Sequence, residues 1–436
     1  MDKLKENPIN TTNYSDLNSL KIGIFGLGYV GLPLATSFAK YFPVVGFDKD
    51  PTRIKNLKKG YDKNGEFTGS TIKQKNLSFV DDYKKLESCN LYLVTVPTPI
   101  DAFNNPDLRF LTEASQTIGQ TLKKGDSVIF ESTVYPGVTE DICLPILEKR
   151  SSLKLNKDFW IGYSPERINP GDKNRDISDI VKVIGASNTD ALDFFEAIYS
   201  KIIKAGIHRA PSIKVAEAAK VIENIQRDLN IALINELSML FDELDLNTNE
   251  VLEAAKTKWN FLSFQPGLVG GHCIGVDPYY LTHKAKQVGF HPELILAGRR
   301  TNDSMPEFVA KKLLRKMINT NKPLDKPILI LGTTFKENCR DIRNSKVFSL
   351  RKKLMGFGIC VDVFDQLADP KAVEAEHQFK LIQSVEKQKY SAIILAVNHD
   401  YIKELSLQTI KSYGMPNCII FDLKSMFSSS EVDISL

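Results

Sequence analysis

The sequence predicts an α/β chain in which two doubly wound sheets flank a helical middle with one long central helix. Short apolar runs alternate with helix-period segments over residues 21–205, and the same alternation returns after residue 326. Between the two blocks, Val215, Ala219, Ile222, Ile225, Leu229, Leu233, Leu237 and Leu240 recur mostly at spacings of three and four. The 436 residues suffice for roughly two to four domains of ordinary size.

Composition narrows the class. Hydrophobic residues make up 42% and charged residues 25%, so the chain can bury real cores. A net charge of +4 from 57 basic and 53 acidic residues is too balanced to point to nucleic acid. No apolar run approaches the ~20 residues of a membrane helix, and the first twenty residues are polar without a signal-peptide core. Cysteines 89, 143, 273, 339, 360 and 418 form no CxxC pair and read as the reduced thiols of a cytoplasmic protein.

In order, residues 1–20 read as a polar tail. The first block, 21–205, has predicted strands at 21–25, 44–48, 91–96, 127–131, 160–163 and 181–184, with helices at 32–42 and 111–122. That alternation implies a parallel sheet with right-handed crossovers. The middle, 206–318, opens with a helix over 213–244 that would exceed ~40 Å. Such a helix joins domains or builds a dimer interface, or else lies buried in a core. The last block, 319–436, has predicted strands at 327–331, 359–364, 392–397 and 419–423 and a helix at 345–355.

The first turn carries chemistry. Gly26-Leu-Gly28-Tyr29-Val30-Gly31 follows a strand and opens a helix. The first glycine makes the tight turn, the second admits a pyrophosphate, and the third lets helix pack on strand. Asp48 ends the next strand, where an acid accepts the ribose hydroxyls of NAD and repels the 2′-phosphate of NADP; Arg53 follows within reach. Both α/β blocks therefore read as Rossmann-like, the first as the NAD-binding one.

Other constellations are weaker alone. Gly267-Leu-Val-Gly-Gly-His-Cys273-Ile-Gly-Val-Asp277 presents a thiol behind glycines and four residues ahead of a carboxylate. A thiol so placed can attack an electrophile while the acid handles water or protons; a lone cysteine is otherwise an inert core residue. Lys220 and Asn224 stand at i and i+4 in the long helix, suited to an oxyanion, or else Lys220 is a solvated helix lysine. Two loops follow predicted strands, 131–137 with Glu131 and Thr133, and 163–171 with Glu166, Arg167 and Ile168. Residues there face the ligand crevice of such sheets, or simply make turns. After the first strand of the last block come Lys336, Arg340 and Arg343, cations that suit a diphosphate or form a solvated basic loop. His272, His283 and His291 complete no zinc spacing, so no metal is expected.

Taken together, these residues resemble the nucleotide-sugar 6-dehydrogenases, the family of UDP-glucose dehydrogenase, over about residues 20–430. The resemblance is closest to the branch acting on UDP-N-acetylhexosamines, through Lys258-Trp-Asn-Phe261, Pro266 to His283, Gly298-Arg-Arg-Thr-Asn302 and Phe335-Lys-Glu-Asn338. It implies that Cys273 is the nucleophile, that Lys220 and Asn224 stabilise oxyanions, and that Asp277 assists with water and protons. It places Thr133 and Glu166 near the reacting carbon. NAD would be held by Gly26, Gly28, Tyr29, Val30, Gly31, Asp48, Arg53, Thr95, Pro97 and Thr133, with Arg343 reaching toward it. The UDP-sugar would meet Glu166, Arg167, Ile168, Lys220, Asn224, Phe264, Gly270 and Lys336. Gln265 stands where related chains often carry a basic residue. The implied reaction is a two-step, four-electron oxidation at C6 of UDP-GlcNAc or UDP-GalNAc through a cysteine thioester, in a homodimer, feeding surface polysaccharide synthesis. UDP-ManNAc or UDP-glucose as substrate, single-step alcohol oxidation that leaves Cys273 idle, and a non-catalytic NAD-sensing module are the alternatives.

Overall fold

Ile22, Ile24 and Phe25 are buried on both sides of a four-residue strand, β1 (Ile22–Phe25), as expected for a central strand covered by helices. The computed structural model describes residues 17–65, 67, 69–168 and 176–436, so most of the polar tail and the end of the 163–171 loop lie outside the described residues. The chain divides into two units: residues 1–223 with 279–290, and residues 224–278 with 291–436.

The first unit holds eight strands. After β1 come β2 (Val44–Phe47), β3 (Leu77–Val80), β4 (Leu91–Val94), β5 (Ser127–Phe130), β6 (Trp160–Tyr163), β7 (Lys182–Ala186) and β8 (Ile207–Arg209), in the order β3-β2-β1-β4-β5-β6-β7-β8. Strand order reverses between β1 and β4, which opens a crevice at the carboxyl ends of these strands. Helices Gly31–Phe38 and Thr189–Tyr199 pack Leu34, Phe38, Phe195 and Tyr199 into one apolar core with Ile22, Ile24 and Trp160. Each such side chain contributes about 1.5–3 kcal/mol through burial.

One expectation needs correction. The sheet is not wholly parallel, because β7 runs antiparallel to β6, pairing Gly162 with Ala186 and Tyr163 with Gly185. A parallel pair needs a crossover of a dozen or more residues, usually helical. Among the described residues between β6 and β7 the only helix is the single 3-10 turn Ile177–Asp179. Strands β3 and β8 were not expected. The first is short and half exposed, and the second, Ile-His-Arg, has no apolar run to mark it.

In the second unit a five-stranded, all-parallel sheet runs β10-β9-β11-β12-β13, with β9 (Ile328–Leu331), β10 (Val361–Phe364), β11 (Tyr390–Leu395), β12 (Gly414–Asp422) and β13 (Ile434–Ser435). Helix Lys346–Gly356 and the far half of helix Glu293–Asn319 bury Val347, Leu350, Val309 and Leu313 against it. The long helix spans Ile213–Glu243, 31 residues without interruption, and so begins in the first unit and ends in the second. Gly298 is where helix Glu293–Asn319 meets this helix's second-unit stretch: a Cβ there would stand 2.5 Å from Leu229.

Candidate active site

In the first unit the glycine turn is shaped by its neighbours. Gly26 has φ +90°, and a Cβ on it would meet the Thr95 carbonyl at 3.0 Å. A Cβ on Gly31 would fall 1.9 Å from the Gly26 carbonyl, so no side chain fits there. Gly28 is exposed, and a Cβ on it would meet nothing within 4 Å. Its openness leaves the backbone free for a ligand to approach. Helix Gly31–Phe38 has no side-chain cap, but the Leu32 and Leu34 N–H groups already bond to the Gly28 and Val30 carbonyls and Pro33 has none, so an anion would meet the backbone of the glycine turn ahead of the helix. Tyr29 and Val30 stand half-buried at the tip of the turn. Thr95 lies buried beneath it, donating from Oγ1 to the Phe25 and Gly26 carbonyls at 2.9 and 2.7 Å, while Pro97 is exposed.

Asp48 ends β2 and locks the turn. One oxygen accepts the Leu27 N–H at 2.9 Å, and the other accepts the Asp50 N–H at 3.0 Å. Each oxygen keeps a second lone pair for a ribose hydroxyl. Arg53 braces the same turn: its guanidinium donates to the Leu27 carbonyl at 3.0 and 2.8 Å and to Asp62 at 2.7 Å. These residues fit a dinucleotide: an open glycine, an uncapped helix start and an acid at the second strand end.

A buried charge cluster occupies the carboxyl ends of β5 and β6. Glu131 follows β5, Glu166 follows β6, and β7, antiparallel to β6, starts with Lys182 at this same end of the sheet. Lys182 Nζ lies 2.5 Å from Glu131, 3.2 Å from the Pro165 carbonyl and 3.6 Å from Glu166. Tyr199 donates its hydroxyl to the other Glu131 oxygen. Burial pushes the Glu131 carboxyl and the Tyr199 hydroxyl up. Burial opposes the Lys182 charge, yet Glu131 and Glu166 outweigh it and hold the ammonium above the ordinary lysine value.

Glu166 Oε1 accepts the N–H groups of Arg167 and Ile168 at 2.6 and 2.7 Å. The Arg167 side chain turns to Glu223 at 2.8 Å and to the Val181 carbonyl, and Ile168 packs on the first core. Thr133 is half-buried just past Ser132, whose hydroxyl donates to the Val96 carbonyl at 2.7 Å. Lys220 is also half-buried, three residues past Glu217. Glu217 accepts the N–H groups of Gly137 and Thr139 and is pushed up to about 7 by burial. Neither Lys182 nor Glu217 was expected as a site residue. The signal for Lys182 was a lysine inside an apolar strand run.

In the second unit, Cys273 is half-buried in a turn. The Cys273 carbonyl accepts the N–H groups of Val276 and Asp277 at 3.0 and 2.8 Å, immediately ahead of helix Asp277–Gln287. Asp277 is buried, and its carboxylate accepts the Asn224 amide at 2.6 Å. Glycines let this loop lie against the 335–345 segment. A Cβ on Gly270 would stand 2.6 Å from the Asn344 carbonyl, and one on Gly271 2.5 Å from the Phe335 ring. Upstream, Asn235 clamps Gly267 by accepting its N–H at 2.7 Å and donating to its carbonyl at 3.1 Å. Asn235 also donates to Asn302, which donates to Asp228, the buried partner of Arg299. Half-buried Phe264 and exposed Gln265 precede this anchor.

Leu268, Gly270, Thr334, Lys336, Lys346 and Lys424 line one cleft of the second unit. Three lysines around a cleft suit a diphosphate. Burial pulls Lys424 below the ordinary lysine value. Arg343 already faces Asp341: Nε donates to both carboxylate oxygens at 2.9 and 3.0 Å. Burial pushes Asp341 up, but Arg343 outweighs it and holds the carboxyl below its usual range. None of the six cysteines forms a disulfide, and no helix among the described residues is long and apolar enough to cross a membrane.

Comparison with known proteins agrees with this division of labour. Residues 20–203 match the NAD binding domain of the UDP-glucose/GDP-mannose dehydrogenase family, 214–304 its central domain and 329–429 its UDP binding domain. The chain is 48% identical to a UDP-N-acetyl-D-glucosamine 6-dehydrogenase of Salmonella typhi over 96% of its length and 99% of that protein. It is 49% identical to one of Pseudomonas aeruginosa, covering 96% of this chain and 100% of that one. Among solved structures, a UDP-D-ManNAc dehydrogenase from Pyrococcus horikoshii matches with a TM-score of 0.84 at 29% identity, over 95% of this chain and 98% of that one. With all three family domains present in order and an NAD cradle built as described, the chain belongs to the UDP-glucose/GDP-mannose dehydrogenase family and is an NAD-dependent nucleotide-sugar dehydrogenase.

Proposed function

We propose that the protein oxidises the C6 hydroxyl of UDP-N-acetylglucosamine to a carboxylate through a covalent thioester on Cys273. The observation that carries this reading is the Cys273 turn itself: a half-buried thiol on a glycine-built loop, four residues ahead of a buried carboxylate–amide pair. The choice of sugar rests on the activity named for the two relatives of about half identity. Those proteins act on the same nucleotide sugar over essentially the whole chain length.

Gly26, Gly28, Gly31 and Asp48 would hold NAD+, and two NAD+ bound in succession would supply the hydride acceptors, one for each oxidation. The residues' tasks follow from their chemistry. Lys220 stabilises negative charge on the C6 oxygen as the alcohol becomes an aldehyde. The Cys273 thiolate adds to that aldehyde, forming a C–S bond, and Asn224 offers its amide to the resulting oxygen anion. Loss of a second hydride from the same carbon leaves a thioester. Water then cleaves the C–S bond, with Asp277 and Glu166 handling its protons, and returns the thiol with the uronic acid. Lys336 and its neighbouring lysines hold the UDP diphosphate. We further assign the protein to the cytoplasm, to a homodimer, and to supply of uronic acids for surface polysaccharide.

The test is NADH stoichiometry. Purified protein should form two NADH per UDP-N-acetylglucosamine, and one per sugar would favour the single-step alternative. Cys273→Ser should trap an acyl-enzyme visible by intact mass, because an ester is hydrolysed more slowly than a thioester. Wild-type turnover in that variant would move the chemistry off Cys273.

A further inference from the structure

Four elements of the first unit converge on one buried ammonium. Glu131 comes from the end of β5, Glu166 from the end of β6, Lys182 from the start of β7, and Tyr199 from the last turn of helix Thr189–Tyr199. Relative exposures of 2%, 7%, 3% and 0% leave the cluster essentially dry. A buried ion pair is a poor stabilising device, because removing two charges from water costs several kcal/mol per ion and an apolar trio of the same volume often does better. The fold nonetheless reverses the direction of one strand to deliver Lys182 here. Strand carboxyl ends are where sheets of this kind meet their ligands.

Bonding within the cluster is uneven. Glu131 is bonded through both oxygens, to Lys182 on one and to Tyr199 on the other. Glu166 Oε1 is also occupied, by two backbone N–H groups. Glu166 Oε2 is buried and has no hydrogen-bond partner among the described residues; its nearest cation is Lys182 Nζ at 3.6 Å. The Tyr199 ring, 5.2 Å from the ammonium, closes another side. The ammonium therefore sits between two carboxylates, bonded to one and facing the free oxygen of the other.

We propose that Lys182 is a positioning residue for the reaction: its ammonium faces Glu166 Oε2 and orients that oxygen to take a proton or a hydrogen bond from the substrate or the hydrolytic water. Glu131 and Tyr199 fix the ammonium so that it does not collapse onto Glu166. This rests on the role given above to Glu166 and extends it to residues not assigned there. Among the described residues, the charged groups facing Glu166 are Lys182 and Glu131; Arg167, next in the chain, is paired with Glu223.

Opposite charge changes in this cluster should move the pH profile in opposite directions. Lys182→Met removes the cation between two carboxylates, which disfavours having both ionised. The acidic limb of the kcat profile for NADH formation from UDP-N-acetylglucosamine should move up by about one pH unit or more, with kcat at neutral pH down ~10–100-fold and KM within about threefold. Lys182→Arg should restore ~tenfold of that loss, since it returns the charge. Glu131→Gln leaves Lys182 to Glu166 alone and should move the limb down. A purely structural cluster predicts lower stability in each variant and an unmoved limb. A folded Lys182→Met enzyme with the wild-type limb, or Met and Gln variants shifting the same way, overturns the proposal. Should Lys182→Met fail to fold, the Glu131→Gln limb decides, and no downward shift there overturns it. Glu166→Gln separates the two layers. Wild-type rates in Glu166→Gln would remove the role of Glu166 itself, whereas an inactive Glu166→Gln beside an unmoved Lys182→Met removes Lys182 alone.

Discussion

The first turns of the two sheets start alike and end differently. Each begins with a glycine at positive φ, Gly26 at +90° after β1 and Gly332 at +86° after β9. In each, an aspartate at the end of the neighbouring strand accepts the next N–H: Asp48 takes Leu27 at 2.9 Å, and Asp365 takes Thr333 at 2.6 Å. Beyond that point they part. The first sheet continues with Gly28 and Gly31 and enters its helix at once, so its turn offers bare backbone with no side-chain cap. The second continues with Thr334, Phe335 and Lys336 and reaches its helix only at Lys346, where the Ser345 side chain already occupies the Val347 N–H. Side-chain ammonium groups take the place of the helix start.

The two acids differ in what they have left to give. Asp48 is half-buried and accepts one N–H per oxygen. Asp365 is fully buried and accepts N–H groups from Thr333, Thr334, Leu367 and Ala368, with His399 at 3.3 Å. His399 in turn receives the Asn338 N–H at 3.0 Å and so fixes the far end of the Lys336 loop. One device thus serves two ends: an acid with lone pairs to spare in the first sheet, a loop anchor in the second.

The largest expected effect breaks the first turn. Gly31→Ala sets a Cβ 1.9 Å from a backbone carbonyl that cannot step aside. NAD+ affinity should fall at least ~100-fold, with stability down by about 3 kcal/mol. Calorimetric titration with NAD+ checks this, and an affinity within a few-fold of wild type would count against the cradle. Next comes the second turn. Lys336→Ala should raise KM for the UDP-sugar ~10–100-fold while leaving KM for NAD+ in place. An equal rise in both constants would show that the two turns do not divide the ligands.

Much of this contrast was legible in the chain. The glycine spacing and Asp48 marked the first turn, and one glycine followed by cations marked the second as different. What stayed hidden was set by partners distant in sequence. Lys182 looks like any strand lysine until the antiparallel course of β7 sets its ammonium 3.6 Å from Glu166, and its other partner Glu131 lies 51 residues away. Arg53 and Arg343 were legible as cations but not as cations already engaged by Leu27, Asp62 and Asp341. Periodicity also misses β13, two residues long, because there is no period to see.

Smaller changes sharpen the same comparison. Gly28→Ala meets no protein atom within 4 Å, so thermal stability should hold while KM for NAD+ rises ~tenfold, where Gly31→Ala loses both. Asp48→Asn should narrow the preference for NAD+ over NADP+ by about tenfold, because the 2′-phosphate no longer meets a charge. Parallel initial-rate series with the two cofactors decide it; an unchanged ratio would place the discrimination elsewhere.

The smallest effect concerns Asp365 and appears only in acid. Burial pushes this carboxyl up, but His399 and the surrounding N–H groups outweigh it and hold it below the usual carboxylate range. A carboxyl depressed on folding adds stability that is complete above its unfolded value, about 3.9, and is lost as pH falls through the folded value. Asp365→Asn should therefore cost the second sheet about 1–2 kcal/mol at pH 7, and the gap to wild type should close below about pH 4. Amide exchange in β9 and β10 across that range measures it locally, without assuming that a chain of two units unfolds in one step. A gap that persists unchanged to low pH would mean that Asp365 holds its loop by shape alone and not by charge.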